Sequence, residues 1–275
     1  MPPDFLATVV KQKKREVAAA RKAIPQDRLA ELARQRSDFR PFWEPLSRPG
    51  PAGVNIIAEI KRASPSRGDI RPDLDAGRTA AQYESGGAVA VSVLTDRTYF
   101  KGSLDDLAAA RSACSLPLLR KEFIISRYQV YEAAAAGADA ILLIARLLNL
   151  EKLEQLYALG RQLGMAALVE IHTPEDARKA VACGARLVGI NNRNLATLET
   201  DITRSVELVS LLAPGQIAVA ASGISGPADI QSNCAAGIFN FLVGESIVRS
   251  DDPVRYIRRL TTGTSPAHSS GDGAA

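Results

Sequence analysis

The sequence predicts an α/β protein, a (β/α)8 TIM barrel with an N-terminal helical extension. Eight short apolar runs rich in β-branched residues alternate with stretches rich in Ala, Leu, Glu and Arg. A glycine commonly separates the end of a helical stretch from the next apolar run. A length of 275 residues also suits one such barrel as a single domain.

The apolar runs are predicted as strands because they are short, continuous and bounded by turn residues. They fall at 56–60, 89–94, 116–121, 140–144, 166–171, 187–191, 217–221 and 239–243. Four of them follow a glycine that can end the preceding helix in the left-handed conformation. These glycines are Gly87, Gly137, Gly184 and Gly237.

Strands that alternate with helices pair in parallel through right-handed crossovers. An open doubly wound sheet is the alternative, but eight evenly spaced units favour closure into a barrel. The barrel is expected to occupy residues 51–260. The small, polar residues 261–275 are expected to form a disordered tail.

Residues 1–50 are expected to form a helical extension packed on the barrel. Apolar residues recur at helical spacing from Phe5 to Ala20, and Pro25 interrupts the pattern. Leu29, Leu32 and Ala33 then suggest a second short helix. Residues 11–15 (KQKKR) carry much of the local positive charge on the first helix.

The composition excludes several classes of function. Hydrophobic residues make up 46% and charged residues 23%, so a large core is expected. The net charge of +4 is spread along the chain, which disfavours nucleic acid as a partner. The scattered Cys114, Cys183, Cys234, His172 and His268 lack disulfide or metal-site spacing. No signal peptide or membrane span is recognised, so a cytoplasmic protein without a membrane partner is expected.

Unusual polar residues lie at the end of the first predicted strand. Glu59 and Lys61 are two residues apart and so share a face, whereas Ile56, Ala58 and Ile60 share the other. The apolar face suits the surrounding helices, so Glu59 and Lys61 should point into the barrel near its mouth. A buried ion pair without a functional role is the alternative interpretation.

Four other strands also end in polar residues. Lys121, Glu170, Asn191 and Ser222 end or follow the third, fifth, sixth and seventh predicted strands. Because barrel enzymes build their active sites at the carboxyl ends of the strands, these residues should meet Glu59 and Lys61 in one cavity. Unrelated surface charges would not be expected to recur at the same end of five strands.

The loops after the last two strands contain glycine. They read SGISG at 222–226 and VGES at 243–246. In phosphate-binding barrels these two loops bind phosphate through backbone N–H groups, which glycine allows to approach closely. The pair therefore indicates a phosphorylated small molecule as the ligand.

Six motifs together resemble the indole-3-glycerol phosphate synthase family, in its order and near its spacing, from the N-terminal helix to about residue 260. They are IAEIKRASPS at 57–66, SVLTD at 92–96 with Tyr99-Phe100 and Gly102-Ser103, LRKEF at 119–123, LVEI at 168–171, GINNRNL at 189–195, and SGI at 222–224 with VGES at 243–246. The resemblance implies ring closure, decarboxylation and dehydration of 1-(2-carboxyphenylamino)-1-deoxyribulose 5-phosphate.

The resemblance also implies the catalytic roles. Lys121 would be the general acid that activates the substrate carbonyl, and Glu170 would serve in the proton transfers that complete dehydration. Glu59 and Lys61 would complete the polar cluster. The remaining catalytic residues, Asn191 and Ser222, would orient the substrate and the hydrogen bonds.

Further positions are carried over as binding residues. Arg193 would face the anthranilate carboxylate, Phe100 and Leu195 would wall the aromatic ring, and Ser64 would also contact the substrate. The phosphate would be bound by Lys61, Gly223, Gly244 and Glu245. No cofactor or metal is implied, a monomer is expected, and other enzymes of tryptophan biosynthesis are candidate partners.

The sequence departs from the family pattern in places. Ala221 stands where the family usually has glutamate, and Glu122 where aspartate is more usual. Ala221 therefore leaves one alternative function, a barrel that binds phosphorylated ligands or a partner protein without catalysis. The alternative enzyme is phosphoribosylanthranilate isomerase. His172 is interpreted as a loop residue or a neighbour of the site and not as a base.

Overall fold

The computed structural model describes residues 5–194 and 199–262. Eight parallel strands pair in chain order, and the last returns to pair with the first. They are β1 (Asn55–Ile60), β2 (Ala90–Leu94), β3 (Leu118–Lys121), β4 (Ala140–Ile144), β5 (Ala166–Ile171), β6 (Leu187–Asn191), β7 (Ile217–Ala221) and β8 (Asn240–Val243). This closed sheet confirms the predicted (β/α)8 barrel.

Helices alternate with these strands. They are α1 (Phe5–Ala23) and α2 (Gln26–Gln35) before the barrel, then α3 (Ala76–Ser85), α4 (Arg97–Phe100), α5 (Leu104–Ala113), α6 (Arg127–Ala135), α7 (Leu150–Gln162), α8 (Pro174–Ala182), α9 (Thr203–Val209), α10 (Pro227–Ala235), α11 (Glu245–Val248) and α12 (Pro253–Thr262). Single 3-10 turns occur at Glu44–Leu46 and Ala145–Leu147, and a short hairpin joins Ala63–Ser64 to Gly68–Asp69.

Alternation along the strands divides the apolar core into two layers. One layer packs between the strands and the helices and includes Ile56, Ala58 and Ile60. The other fills the barrel interior and includes Ile57, Ala90, Leu119, Ala140, Leu142, Leu168, Leu187, Val219 and Leu242. Glu59 has the parity of Ile57, so its side chain points inward as predicted.

The glycines that precede four strands adopt the predicted left-handed conformation. Their φ angles are 91° at Gly87, 97° at Gly137, 67° at Gly184 and 84° at Gly237. Each lies just beyond the end of a helix, where a side chain would strain the backbone.

The N-terminal extension contacts both ends of the barrel. α1 ends before Pro25 and α2 begins after it; Leu29 and Ala33 of α2 are buried, whereas Leu32 is 38% exposed. Lys13 of α1 reaches the mouth, where the strands end. At the opposite end, the base, Arg36 pairs with Asp139 just before β4 at 2.7 Å.

The C-terminal helix extends slightly further than predicted. Thr261 and Thr262 belong to α12 and are therefore helical rather than part of the expected tail. The rest of that expected tail, residues 263–275, lies outside the described residues. Within the described part of the chain, none of the helices combines the length and the apolar character that crossing a bilayer requires.

Candidate active site

A cavity of about 400 Å³ opens at the carboxyl ends of the strands. Its lining contains the predicted catalytic residues Glu59, Lys61, Lys121, Glu170, Asn191 and Ser222. The binding residues Ser64, Phe100, Arg193, Gly223, Gly244 and Glu245 line it as well. Leu195, predicted to wall the aromatic ring, lies outside the described residues. The structure thus brings the other predicted residues together at one rim of the barrel.

The end of β1 contributes the first ion pair. Lys61 Nζ lies 2.6 Å from Glu59 Oε1. Glu59 is buried in the barrel mouth, and Lys61 is half-buried at the point where the chain leaves the strand. The contact is the ion pair that the sequence left as an alternative, but it faces the cavity and can therefore contact a ligand.

A second ion pair links β3 to β5. Lys121 Nζ lies 3.4 Å from Glu170 Oε2. Asn191 Nδ2 at the end of β6 donates a hydrogen bond of 3.1 Å to Glu170 Oε1. Asn191 Oδ1 in turn accepts from the backbone N–H of Arg193 at 3.0 Å. Three strand ends therefore fix the position of the Glu170 carboxylate.

The surroundings keep both partners of this pair charged. Burial would lower the pKa of Lys121, but the Glu170 and Glu59 carboxylates outweigh it and raise that pKa above its usual value. Burial likewise opposes ionisation of Glu170, yet Lys121, His172 and Asn191 hold its pKa below the usual value. At neutral pH the cavity therefore contains an ammonium group beside a carboxylate.

His172 is a buried neighbour of Glu170. Its Nε2 lies 3.5 Å from Glu170 Oε1, and its backbone N–H donates to Asp176 Oδ2 at 3.0 Å. Burial lowers the pKa of His172, and the Glu170 and Asp176 carboxylates only partly oppose this. The imidazole is consequently neutral at pH 7. It does not line the cavity, in keeping with its interpretation as a neighbour and not a base.

The loop after β7 is a sharp left-handed turn. Ser222 and Gly223 have φ angles of 67° and 81°. The backbone carbonyl of Ser222 accepts a hydrogen bond of 3.1 Å from Asn192 Nδ2. A Cβ on Gly223 would lie 2.4 Å from Thr200 Cγ2, so both conformation and space require glycine there. Its backbone is thus held at the cavity rim.

The loop after β8 packs against the first ion pair. A Cβ on Gly244 would lie 2.5 Å from Glu59 Oε1 and 3.1 Å from Lys61 Nζ. Glu245 opens α11, and its side chain points to Arg67 and Arg249, with 3.2 Å to the Nε atom of each. Its carboxylate is therefore paired with two arginines that also line the cavity. Its backbone N–H, at the first position of α11, has no partner within the helix and can serve a ligand.

Aromatic residues form one wall of the cavity. Phe100 of α4 lies 6.1 Å from Phe123 between ring centroids, and both line the cavity. Ala221 contributes a small apolar patch at the end of β7, in register with Asn191 and Leu242.

Some lining residues were not singled out from the sequence. Phe5 of α1, Asp96 and Glu122 also face the cavity. Phe5 looked like an ordinary apolar helix position, and the two acids lay inside recognised motifs without a role. Residues 5–194 and 199–262 contain no group of three His, Cys, Asp or Glu side chains placed to hold a metal ion.

Comparisons with known proteins agree with this geometry. The family model described as indole-3-glycerol phosphate synthase matches residues 6–260. The indole-3-glycerol phosphate synthase of Desulfosudis oleivorans is 55% identical over 260 residues, covering 94% of this chain and 99% of its own length. That of Syntrophobacter fumaroxidans is 47% identical over 257 residues, covering 94% and 97%.

Solved structures agree on the fold alone. The 3-hexulose-6-phosphate synthase of Salmonella typhimurium superposes with a TM-score of 0.61 at 12% identity, covering 77% of this chain and 98% of that one. Thiamine phosphate pyrophosphorylase of Pyrococcus furiosus gives a TM-score of 0.59 at 13% identity, covering 77% and 95%.

Proposed function

The chain belongs to the indole-3-glycerol phosphate synthase family, and from this premise we propose the reaction that its cavity performs. The substrate is 1-(2-carboxyphenylamino)-1-deoxyribulose 5-phosphate, and the products are indole-3-glycerol phosphate, carbon dioxide and water. The protein is thus a carboxy-lyase of tryptophan biosynthesis. The observation that carries the proposal is the ammonium–carboxylate pair of Lys121 and Glu170, which faces a cavity rimmed by two glycine turns.

Lys121 is the general acid of ring closure. As the ring carbon that bears the carboxylate attacks the ketone, the ketone oxygen gains negative charge and takes a proton from the ammonium group. The carboxylates of Glu170 and Glu59 support this role because they keep Lys121 protonated at neutral pH. A positioned general acid contributes roughly 10²–10⁴-fold to the rate.

Glu170 takes part in the later steps. Loss of carbon dioxide restores the aromatic ring, and the hydroxyl group formed from the ketone then leaves as water. That dehydration needs proton transfers on another side of the new ring, and Glu170 lies on a different strand from Lys121. Asn191 holds its carboxylate in place through the hydrogen bond of 3.1 Å, and Ser222 orients the substrate from the end of β7.

The remaining residues bind the two ends of the substrate. Phe100 packs on the aromatic ring, while Arg193 and Ser64 bind its polar substituents. Two glycine turns and a lysine then hold the phosphate: Gly223, Gly244 with the backbone N–H of Glu245, and Lys61. Support for this orientation comes from the strands that carry the two groups, since the aromatic wall on α4 follows β2 and the glycine turns follow β7 and β8.

The test is an assay with purified protein that follows indole fluorescence from the carboxyphenylamino substrate. Formation of indole-3-glycerol phosphate is expected. Absence of product at any enzyme concentration would contradict the proposal and favour a barrel that only binds its ligand. Turnover of phosphoribosylanthranilate instead would identify the isomerase.

We also propose that the protein works in the cytoplasm as a monomer. All three cysteines are free thiols, which suits a reducing compartment. The described catalytic and binding residues of one chain meet in a single cavity, which supports a site built within one subunit. Sedimentation of the purified protein as a dimer would contradict the monomer.

A further inference from the structure

Lys13 is a buried lysine on the N-terminal helix. Its side chain is 2% exposed, and its Nζ lies 2.6 Å from Asp96 Oδ2, 2.8 Å from Glu16 Oε2 and 3.0 Å from Glu122 Oε1. The contact with Glu16 is also a hydrogen bond, and the contacts with Asp96 and Glu122 are close ion pairs. The residue lies in the basic segment 11–15, whose other lysines, Lys11 and Lys14, are exposed.

Asp96 connects Lys13 to the aromatic wall. Its Oδ1 accepts a hydrogen bond of 2.6 Å from the backbone N–H of Tyr99 and thereby caps α4. α4 ends at Phe100, which lines the cavity. The position of the aromatic wall therefore depends on the conformation of Asp96.

Glu122 connects Lys13 to the general acid. It directly follows Lys121, and its Oε1 accepts from the backbone N–H of Phe123 at 2.8 Å. Its Oε2 accepts from Thr95 Oγ1 at 2.9 Å. The backbone around Lys121 is thus held by the carboxylate that Lys13 binds.

The two acids need a cation between them. Asp96 is 0% and Glu122 6% exposed, and both are near Lys13 Nζ. Arg120 lies 4.0 Å from Glu122 but pairs more closely, at 2.7 Å, with Glu132 of α6. Removing one partner of a buried pair leaves an uncompensated charge, which is strongly unfavourable.

The pKa shifts of Lys13 and Asp96 agree with the need for a cation beside the two acids. Burial would lower the pKa of Lys13, but Glu122, Asp96 and Glu16 outweigh it and raise that pKa, so the side chain stays charged. Burial raises the pKa of Asp96, and Lys13 is the main opposing influence. Without Lys13, Asp96 would be expected to take up a proton more readily.

We propose that Lys13 is a positioning residue for the reaction, which fastens α1 across the barrel mouth and neutralises Asp96 and Glu122 so that Phe100 and Lys121 keep their places. The inference rests on the proposed function, and it makes the N-terminal helix part of the catalytic apparatus. Lys13 itself does not line the cavity, so it acts through its two partners.

The first test compares four forms of the full chain by steady-state kinetics. Lys13→Met is expected to lower kcat/KM by about 10²-fold, since small displacements of catalytic groups cost about that much. KM should rise because Phe100 shifts, and kcat should fall because Lys121 shifts. Lys13→Arg should recover most of the loss, and the exposed Lys14→Met should equal the wild type.

A pH profile separates positioning from loss of stability. Glu16, Arg120, Glu132 and Tyr99 also face the cluster. As pH falls from about 8 to about 5.5, protonation of Asp96 in Lys13→Met should relieve its repulsion with Glu122. The ratio of its kcat/KM to that of the wild type should therefore rise. A pH-independent ratio, or kinetics equal to Lys14→Met, would overturn the proposal.

A double variant keeps the test valid if Lys13→Met does not fold. Lys13→Met/Glu122→Gln removes one charge of each sign, so the cluster keeps its net charge. It should fold, regain part of kcat/KM relative to Lys13→Met if that variant is soluble, and lose the pH-dependent ratio. A double variant that folds with wild-type kcat/KM would overturn the proposal, because the ion pairs of Lys13 with Asp96 and Glu122 would then not be needed for the reaction.

Hydrogen exchange gives a readout that does not require turnover. In Lys13→Met and in the double variant, amide exchange of residues 97–103 should become faster than in Lys14→Met, because the cap on α4 is loosened. If the wild type forms no product, the proposed function fails and exchange alone decides whether Lys13 positions this segment. Unchanged exchange would overturn that role.

Discussion

Two buried carboxylates, one at each end of the barrel, have very different environments. Asp139 at the base is 1% exposed and Glu170 at the mouth is 3% exposed. Asp139 accepts from Arg36 at 2.7 Å, from Arg111 at 2.8 Å, and from the backbone N–H groups of Arg40 and Leu118 at 2.9 Å each. Glu170 accepts a hydrogen bond from Asn191 at 3.1 Å, and Lys121 Nζ and His172 Nε2 lie 3.4 Å and 3.5 Å from its carboxylate.

The difference between the two environments distinguishes a carboxylate that stabilises the fold from one that can serve the reaction. Guanidinium groups and backbone N–H groups surround Asp139 in short, fixed contacts, and they tie the N-terminal extension to the barrel. Glu170 has longer contacts, one of them to a flexible lysine, and it faces an open cavity. A carboxylate whose oxygens all accept short hydrogen bonds stabilises the fold. One with longer contacts and access to the cavity can exchange protons with a substrate.

The sharpest test of this contrast removes the ammonium group at the mouth. Lys121→Ala is expected to lower kcat by about 10²–10⁴-fold, because it removes the proton donor. Substrate should still bind, since the glycine turns are intact. Stopped assays and equilibrium titration measure the two quantities separately, with the exposed Lys22→Ala as control. Near-normal turnover would show that Lys121 is not the acid.

The converse test removes the charge at the base. Asp139→Asn is expected to lower the free energy of unfolding by about 3–5 kcal/mol, because Arg36 and Arg111 lose a buried partner. Below its unfolding transition the variant should keep wild-type kcat, as measured by denaturant titration and by the indole assay. A large loss of kcat in folded protein would break the contrast between the two ends.

Asp38 provides the matched control for the base. The same two arginines hold its pKa at about 2 through hydrogen bonds, yet its side chain is 69% exposed. Asp38→Asn should therefore change stability by only about 0–1 kcal/mol. That small contribution should be lost as pH falls from the ordinary aspartate pKa towards about 2, because protonation then removes the pairing.

The hydrogen bond from Asn191 should be visible in the pH profile. Burial raises the pKa of Glu170, but Lys121, His172 and Asn191 together depress it, so the carboxylate persists to lower pH than usual. Asn191→Leu removes one donor, and the acid limb of kcat/KM should move to higher pH. In Glu170→Gln that limb should vanish along with most activity. An unmoved limb in Asn191→Leu would contradict the assignment.

The smallest expected effect on the kinetics concerns the phosphate turn. Gly244→Ala would place a methyl group 2.5 Å from Glu59 Oε1, so the turn or the ion pair must shift. KM should rise about tenfold, equivalent to roughly 1.4 kcal/mol, with little change in kcat. Gly77→Ala in α3, where the nearest atom would be at 3.4 Å, is the control. Equal KM values would place the phosphate elsewhere.

The strands were predictable because their signals are local. Apolar runs that alternate with helical stretches, together with helix-ending glycines, placed seven of the eight strands within one residue of the observed bounds. The third strand begins at Leu118 and not at 116 as predicted. Pro117 has no N–H for the sheet, so the ladder cannot start before it.

The polar residues of the site were predictable for a related reason. In a closed parallel barrel all strands end at one rim, so Glu59, Lys121 and Glu170 had to meet once the topology was known. Their pairing could not be read in advance. Whether Lys121 contacts Glu170 or Glu59 depends on strand register and on rotamers, which have no signature in the sequence.

The sequence alone determined the barrel, the parallel direction of its strands and the rim that carries the polar groups. The alternation of side chains along a strand and the glycine turns are properties of neighbouring residues. Only the tertiary structure decided that Lys13 is buried between Asp96 and Glu122, and that Asp139 receives Arg36 and Arg111. These contacts join residues far apart along the chain, and the attraction between the charges becomes strong only in the low-dielectric interior that folding creates.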